Sequence, residues 1–174
     1  EFRRVLFRSD NFNDYVDDLT AFWQQEVLPG PWRKRYILAH SMGGAIATLF
    51  LQRHPNQCDA IALCAPMFGI VMRFPDWMVR HILDWAEGHP RIREGYAMGT
   101  GRWRALPFGM NALTHSRQRY RRNLRFYADE PRLRVGGPTY HWVREGILAG
   151  EQVLAGAGDD ATPTLLIQAE EERV

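Results

Sequence analysis

Residues 35–55, RYILAHSMGGAIATLFLQRHP, decide the fold class of this chain. Arg35 to His40 is a short apolar run rich in strand formers, Gly43 to His54 has the composition of a helix, and Pro55 stops it. The unit is therefore strand, tight turn, helix. Ala39-His40-Ser41-Met42-Gly43 is the G-x-S-x-G pattern with alanine in the first glycine position. Such a pattern makes a nucleophile elbow, with the serine on a strained strand-to-helix turn where a large side chain two positions away collides with neighbouring backbone. Ser41 is the candidate nucleophile, and the competing reading is an ordinary helix N-cap. The backbone N–H of Met42, at the helix start, is the candidate oxyanion donor. Gly43 and Gly44 let the helix pack close to the strand.

Upstream, Val16, Leu19, Trp23 and Val27 recur at spacings of three and four, which predicts a helix over Asn13–Leu28, ended by Pro29, Gly30 and Pro31. Downstream, Asp59–Ala65 (DAIALCA) reads as a second buried strand. Strand, helix, strand implies parallel pairing through a right-handed crossover. From Met67 to about Gly137 the pattern turns to helices broken by Gly and Pro, with no strand signal until Thr164–Gln168 (TLLIQ). A helix over about Thr139–Ala155 leads back to that strand. The expected organisation is a leader over 1–9, a core over 10–66 with the elbow, a helical cap over 67–137, and a return to the core over 138–174. The first cap helix, Phe74–Glu87, places Phe74, Trp77, Met78, His81, Ile82 and Trp85 on one face. That face is expected to be cap core, the alternative being insertion into a membrane surface.

The chain has 174 residues, 45% of them hydrophobic, which is ample for a core. A charged content of 24% and a net charge of +2 exclude a disordered chain and an overall polybasic nucleic-acid binder. The longest apolar run, Ala60–Met72, contains Pro66 and is shorter than the roughly 20 residues that span a bilayer. Cys58 and Cys64, six residues apart on the expected strand, are separated by about 20 Å and cannot bridge each other. Reduced thiols suit the cytoplasmic side. Residues 1–9, EFRRVLFRS, interleave four charges with phenylalanine, valine and leucine without any period, and read as a non-native leader. Between Ile70 and Glu145 there are 14 arginines and seven acids, with Arg117, Arg119, Arg121, Arg122 and Arg125 on one helical segment. Guanidinium forks match phosphate oxygens, so Arg119, Arg121, Arg122 and Arg125 are candidates for a headgroup or an anionic membrane surface, against the alternative of a solvated helix face. No motif for nucleic acid accompanies them. The sequence calls for no cofactor and no metal.

At AHSMGGAIATLFLQRHP the chain resembles the monoacylglycerol lipase and lysophospholipase branch of the α/β-hydrolases. GTGRWRALPF, HSRQRYRRNLRFYADEP, GGPTYHWVRE and AGEQVLAGAGDDATPTLL narrow the likeness to its bacterial inner-membrane lysophospholipases, from about Asp10 to Val174. The resemblance implies a partial α/β-hydrolase fold, a mostly parallel sheet flanked by helices with a helical cap insertion. It also implies a serine esterase that hydrolyses the remaining acyl ester of a lysophospholipid, peripheral on the cytoplasmic side of the inner membrane. Alternatives that share the fold are a general esterase or monoacylglycerol lipase, a serine peptidase, and a non-catalytic membrane-binding module.

In this fold the triad runs Ser, then Asp or Glu, then His. The resemblance lays Glu172 on the position of the acid, with glutamate in place of aspartate and Glu170, Glu171 and Glu172 in a row. An acidic turn, or an acid beyond Val174, are the alternatives. His40, His54, His81, His89, His115 and His141 all precede that acid, so the resemblance expects the base, and a second oxyanion donor, outside this stretch of chain. Such a truncated sheet is expected to expose the apolar edges of its strands and to lack turnover by itself.

Overall fold

The computed structural model describes residues 10–168 and 170, apart from 73, 112, 159 and 160. In chain order the elements are α1 (Asn13–Phe22), β1 (Tyr36–His40), α2 (Met42–Arg53), β2 (Ala60–Cys64), α3 (Asp76–Glu87), α4 (Pro90–Arg93), α5 (Arg117–Asp129), α6 (Tyr140–Ala155) and β3 (Thr164–Ile167). Of the described residues, 10–71 and 144–170 form one compact unit and 72–143 another.

The first unit is built on a three-stranded parallel sheet in the order β1-β2-β3. Its ladder starts where the Arg35 amide donates to Asp59 Oδ2 at 2.8 Å and the Asp59 amide donates to the Arg35 carbonyl at 2.8 Å. In register, Ile37 meets Ile61, Leu63 meets Leu166, and His40, Cys64 and Ile167 align across the carboxyl ends of the strands. Neither cysteine forms a disulfide, but Cys58 lies ahead of β2 rather than on it. Cys58 falls short of the strand because residues 54–59 make a turn through Asn56 at φ 61°, a left-handed conformation that asparagine tolerates.

Helix α2 is apolar almost all round and buries Ala45, Ala47, Leu49, Phe50 and Leu51. Such a helix is stable only when covered on most sides. α1 supplies one cover through Val16, then runs on into a π turn, Trp23–Val27, where the Trp23 ring lies 5.4 Å from Phe50. α6 supplies another, with Gln52 Nε2 donating to the Val153 carbonyl at 2.9 Å. A Cβ on Gly150 of α6 would stand 2.6 Å from the carbonyl oxygen of Phe68, so only glycine permits that approach. β2 buries Ile61 and Leu63, whereas Tyr36 and Leu38 of β1 and Leu165, Leu166 and Ile167 of β3 are exposed.

The second unit corrects the expected cap core. α3 begins at Asp76 behind Pro75, later than Phe74, and the residues it buries are Val79, Leu83 and Ala86. Phe74, Trp77 and Trp85 are exposed, and so is His81, which is therefore no core histidine. Two apolar stripes lie side by side on this helix, and periodicity cannot tell which of them meets a neighbour. The compact Val79, Leu83 and Ala86 stripe allows the closer approach. Elsewhere in this unit, segments 95–101 and 136–140 run close together, with Ala97 and Gly137 amides donating to Pro138 and Gly101 carbonyls at 2.9 and 2.8 Å. A Cβ on Gly137 would come 2.5 Å from Thr100 Cβ.

His141, at the start of α6, closes a polar network on α3 and α4. Its Nδ1 lies 2.7 Å from Glu87 Oε1 and its Nε2 lies 3.0 Å from a terminal nitrogen of Arg93. A guanidinium only donates, so Nε2 accepts and Nδ1–H donates to the carboxylate. Arg93 Nε also donates to Glu87 Oε2 at 3.1 Å. Burial pushes the Glu87 carboxyl up, but the hydrogen bond from His141, with the bond and charge of Arg93, leaves it below its ordinary 4.5.

Replacing Phe50 with alanine empties the contact between α1 and α2, and is expected to destabilise the protein by about 3–5 kcal/mol. Urea unfolding of both forms measures this, and a loss below about 1 kcal/mol would remove Phe50 from the centre of the core. A carboxyl held below its unfolded value contributes stability that is complete above that value and lost as the pH falls through the folded one. The melting temperature should therefore drop more steeply below pH 4.5 in the parent than in Glu87→Gln. Parallel melting curves for the two proteins across that range would show that the network carries no such linkage.

Candidate active site

Ser41 sits between the last residue of β1 and the first of α2 at φ 52° and ψ −125°, outside the regions an L-residue adopts freely. It occupies the N-cap position of α2, yet its side chain makes no capping hydrogen bond. An ordinary capping serine spends its hydroxyl on the amide two or three residues on. The backbone of Ser41 is held instead by its surroundings. Its N–H donates to the Cys64 carbonyl at 3.1 Å, and its carbonyl accepts from the amides of Gly44 and Met67, each at 2.9 Å.

Crowding at the elbow falls on Gly44. A Cβ there would lie 2.6 Å from Pro66 Cβ and 3.0 Å from Pro66 Cα, whereas a Cβ on Gly43 would meet nothing within 4 Å. Ala39 is buried in β1, and His40 beside it is exposed. Met42 opens α2, so its N–H is one of those with no acceptor inside the helix. An anion at the hydroxyl of Ser41 would lie at the positive end of the α2 dipole.

Because His40, Cys64 and Ile167 are in register, the segment after β3 leaves the sheet on the same edge as Ser41, two strands or about 10 Å away. Parallel sheets carry their ligands at this carboxyl edge. Glu170 lies on that segment, and Glu172 lies outside the described residues. His54 closes the far end of α2, with its ring 5.3 Å from Phe50 and about 18 Å of helix between it and Ser41. His89, between α3 and α4, has its Nδ1 2.8 Å from the Trp85 carbonyl of α3, and His141 is committed to Glu87 and Arg93. Among the described residues no group of His, Cys, Asp and Glu is placed to hold a metal ion.

In the other unit, Arg117, Gln118, Arg121, Arg122 and Arg125 line an open groove of about 530 Å³ along α5. Arg119 is not part of it; its backbone amide donates to the N-cap Ser116 Oγ at 3.3 Å. The Arg117 guanidinium also rests 4.7 Å above the Phe108 ring. Residue spacing alone does not separate Arg117 from Arg119, because both are exposed, but positions 117, 121 and 125 recur every four residues on one helical face. Sequence reading also misses the turn Ala65–Met67, whose part in holding Ser41 rests on a positive φ at an alanine. Pro66 directly after the strand is the one signal it offers.

Over 165 residues the chain is 84% identical to lysophospholipase L2 of Escherichia coli strain K12, covering 95% of this chain and 48% of that protein. The same protein of E. coli strain CFT073 matches with equal figures. A probable lysophospholipase L2 of Haemophilus influenzae is 27% identical over 168 residues, covering 95% of this chain and 52% of its own length. The chain thus spans about half the length of the curated relatives it matches. Among solved structures, the monoacylglycerol lipase of Paleococcus ferrophilus superposes with a TM-score of 0.60 at 16% identity, over 91% of this chain and 54% of the other. At that identity the likeness carries the fold alone, a partial α/β-hydrolase with its parallel sheet between helices. The sequence profile of one family, Hydrolase_4, described as serine aminopeptidase, S33, matches residues 5–174, and the chain belongs to that family.

Proposed function

We propose that this chain carries the nucleophile of a lysophospholipase. One observation bears most of the weight: Ser41 is held at a positive φ between strand and helix while its hydroxyl is left unspent on capping. The 84% identity to lysophospholipase L2 supports the choice of substrate class. In this reading Ser41 Oγ attacks the carbonyl carbon of the remaining acyl ester, and its proton passes to a general base. The negative charge that develops on the carbonyl oxygen is met by the Met42 N–H. The glycerophosphodiester leaves as an alcohol, taking up that proton, and water then releases the fatty acid from the acyl-serine. Glu172 is the candidate that orients the base. A serine peptidase is the second reading, favoured by the description of the family, and comparing hydrolysis of lysophosphatidylethanolamine with that of a peptide amide decides between them.

The arginine groove of α5 supports a finer proposal, peripheral binding to the anionic cytoplasmic face of a bacterial inner membrane. Its guanidinium groups match phosphate oxygens, both of the headgroup and of the lipid surface. Among the described residues no helix is long and apolar enough to cross a membrane.

In the full-length protein, Ser41→Ala should abolish ester hydrolysis and leave the thermal transition in place, because the side chain takes no part in a helix cap. Turnover that survives the substitution would remove Ser41 as nucleophile and assign the hydrolysis to another group. For the membrane, changing Arg117, Arg121, Arg122 and Arg125 to glutamine should weaken binding to phosphatidylglycerol vesicles by roughly 1 kcal/mol per residue near the surface. Arg119→Gln alone should weaken it less. Vesicle sedimentation at two salt concentrations measures both, and equal binding by the quadruple variant and the parent would leave α5 as a solvated face.

A further inference from the structure

The conformation of Ser41 is not fixed by the strand and helix that flank it. Its N–H bonds to Cys64, the last residue of β2, and its carbonyl receives the Met67 amide at 2.9 Å as well as that of Gly44. Between those two contacts the chain turns through Ala65, at φ 42°, and Pro66. A non-glycine residue persists there only when the surroundings over-determine it. They do so from several sides. The Ala65 amide donates to the Ile167 carbonyl at 2.7 Å, tying the turn to the end of β3, and the Phe68 amide donates to the Pro66 carbonyl at 3.0 Å. Phe68 is in turn covered by Gly150 of α6, and Pro66 lies where a side chain on Gly44 would be.

We propose that the turn Ala65–Pro66–Met67 is the positioning element of the nucleophile, with Met67 holding the Ser41 carbonyl and Pro66 setting how closely the first turn of α2 can approach the sheet. The turn acts through Ser41 and touches no reacting atom. Rotation about the Ser41 backbone swings its Oγ, and a displacement of about 1 Å at a reacting group costs about a hundredfold in rate. The same turn also fixes where β3 ends. The strand that leads toward the candidate acid is thereby referenced to the same three residues as the serine. This inference rests on Ser41 being the nucleophile.

The test uses the full-length protein, with lysophosphatidylethanolamine hydrolysis and the rate of fluorophosphonate labelling as readouts. Gly44→Ala brings a methyl group against Pro66 and should lower kcat by between about tenfold and a hundredfold, with KM nearly unchanged and labelling slowed in proportion. Adding Pro66→Gly to Gly44→Ala removes the opposing Cβ and should restore part of kcat, which a general loss of stability would not do. Gly44→Ala with the parent's kcat, or a double variant no faster than Gly44→Ala, overturns the positioning role. If Gly44→Ala loses its cooperative melting transition, Pro66→Gly alone is read. That variant adds no atoms and should slow labelling at unchanged KM, and parent-like labelling overturns the proposal. Ser41→Ala measured alongside separates the two ideas: turnover in that variant ends the nucleophile reading, whereas an inactive Ser41→Ala beside a parent-like Gly44→Ala ends only the positioning role.

Discussion

A serine at φ 52° is a conformation that costs an L-residue about 1–3 kcal/mol, and the candidate site exists only because the parallel pairing of β1 with β2 offsets that cost. The register that sets His40 opposite Cys64 is what places the Cys64 carbonyl within reach of the Ser41 amide. A slip of one residue would turn every side chain of β1 to the other face and would leave that amide without its acceptor. The hydrophobic pattern guards against the slip, because Ala39 and the Ile61 and Leu63 pair are buried on alternate positions. Packing of the core and geometry of the site are therefore one constraint.

Close approach is the second theme. Gly44 lets α2 press against Pro66, Gly150 lets α6 press against Phe68, and a Cβ on Gly156 would come 2.7 Å from the end of the Gln52 side chain. Gly44 and Gly150 each remove a Cβ where a helix meets the segment that follows β2, whereas Gly156 lies beside α2. Two helices are drawn over the same short turn, which stiffens the backbone that carries Ser41. The outer strands are treated differently: Leu38, Leu165, Leu166 and Ile167 are exposed apolar residues. Strands of parallel sheets are ordinarily covered on both faces, and this chain spans about half the length of its curated relatives.

What could be read beforehand follows from where the information lies. The strand, elbow and helix of residues 36–53 were legible because a small-x-Ser-x-Gly pattern at a strand end has a local steric cause. β2, β3 and α6 were legible because apolar runs and helical periods are local as well. The buried side of α3 was not, since Trp77 and Trp85 outweigh Val79 and Leu83 in any periodic reading although the smaller residues make the contact. Nor was the network of Glu87, Arg93 and His141, whose members come together from α3, α4 and α6 across up to 54 positions of sequence. Ala65 at positive φ carries no signature, because alanine is equally at home in helix and strand positions.

Helix α5 raises an energetic question that its packing answers only in part. None of its residues is fully buried, and it is docked by aromatic contacts: the Tyr120 hydroxyl on the Leu106 carbonyl, Phe108 at 5.6 Å from Tyr120, and Trp103 at 5.2 Å from Tyr127. Along its outer face Arg117 precedes Arg121 by four residues and Arg121 precedes Arg125 by four, while Arg119, Arg122 and Arg125 follow at intervals of three. Like charges at these spacings each destabilise a helix by about 0.2–0.5 kcal/mol, and Asp129 is the one acid in its sequence. Alone, such a face is electrostatically strained. An anion in the groove lowers the energy of binding and the energy of the helix together, because each phosphate oxygen that pairs with a guanidinium also screens its neighbours. Under the proposed binding to a lipid surface, where several phosphates are presented side by side, this relief would be greatest, and it would add to the direct attraction of each guanidinium for the surface.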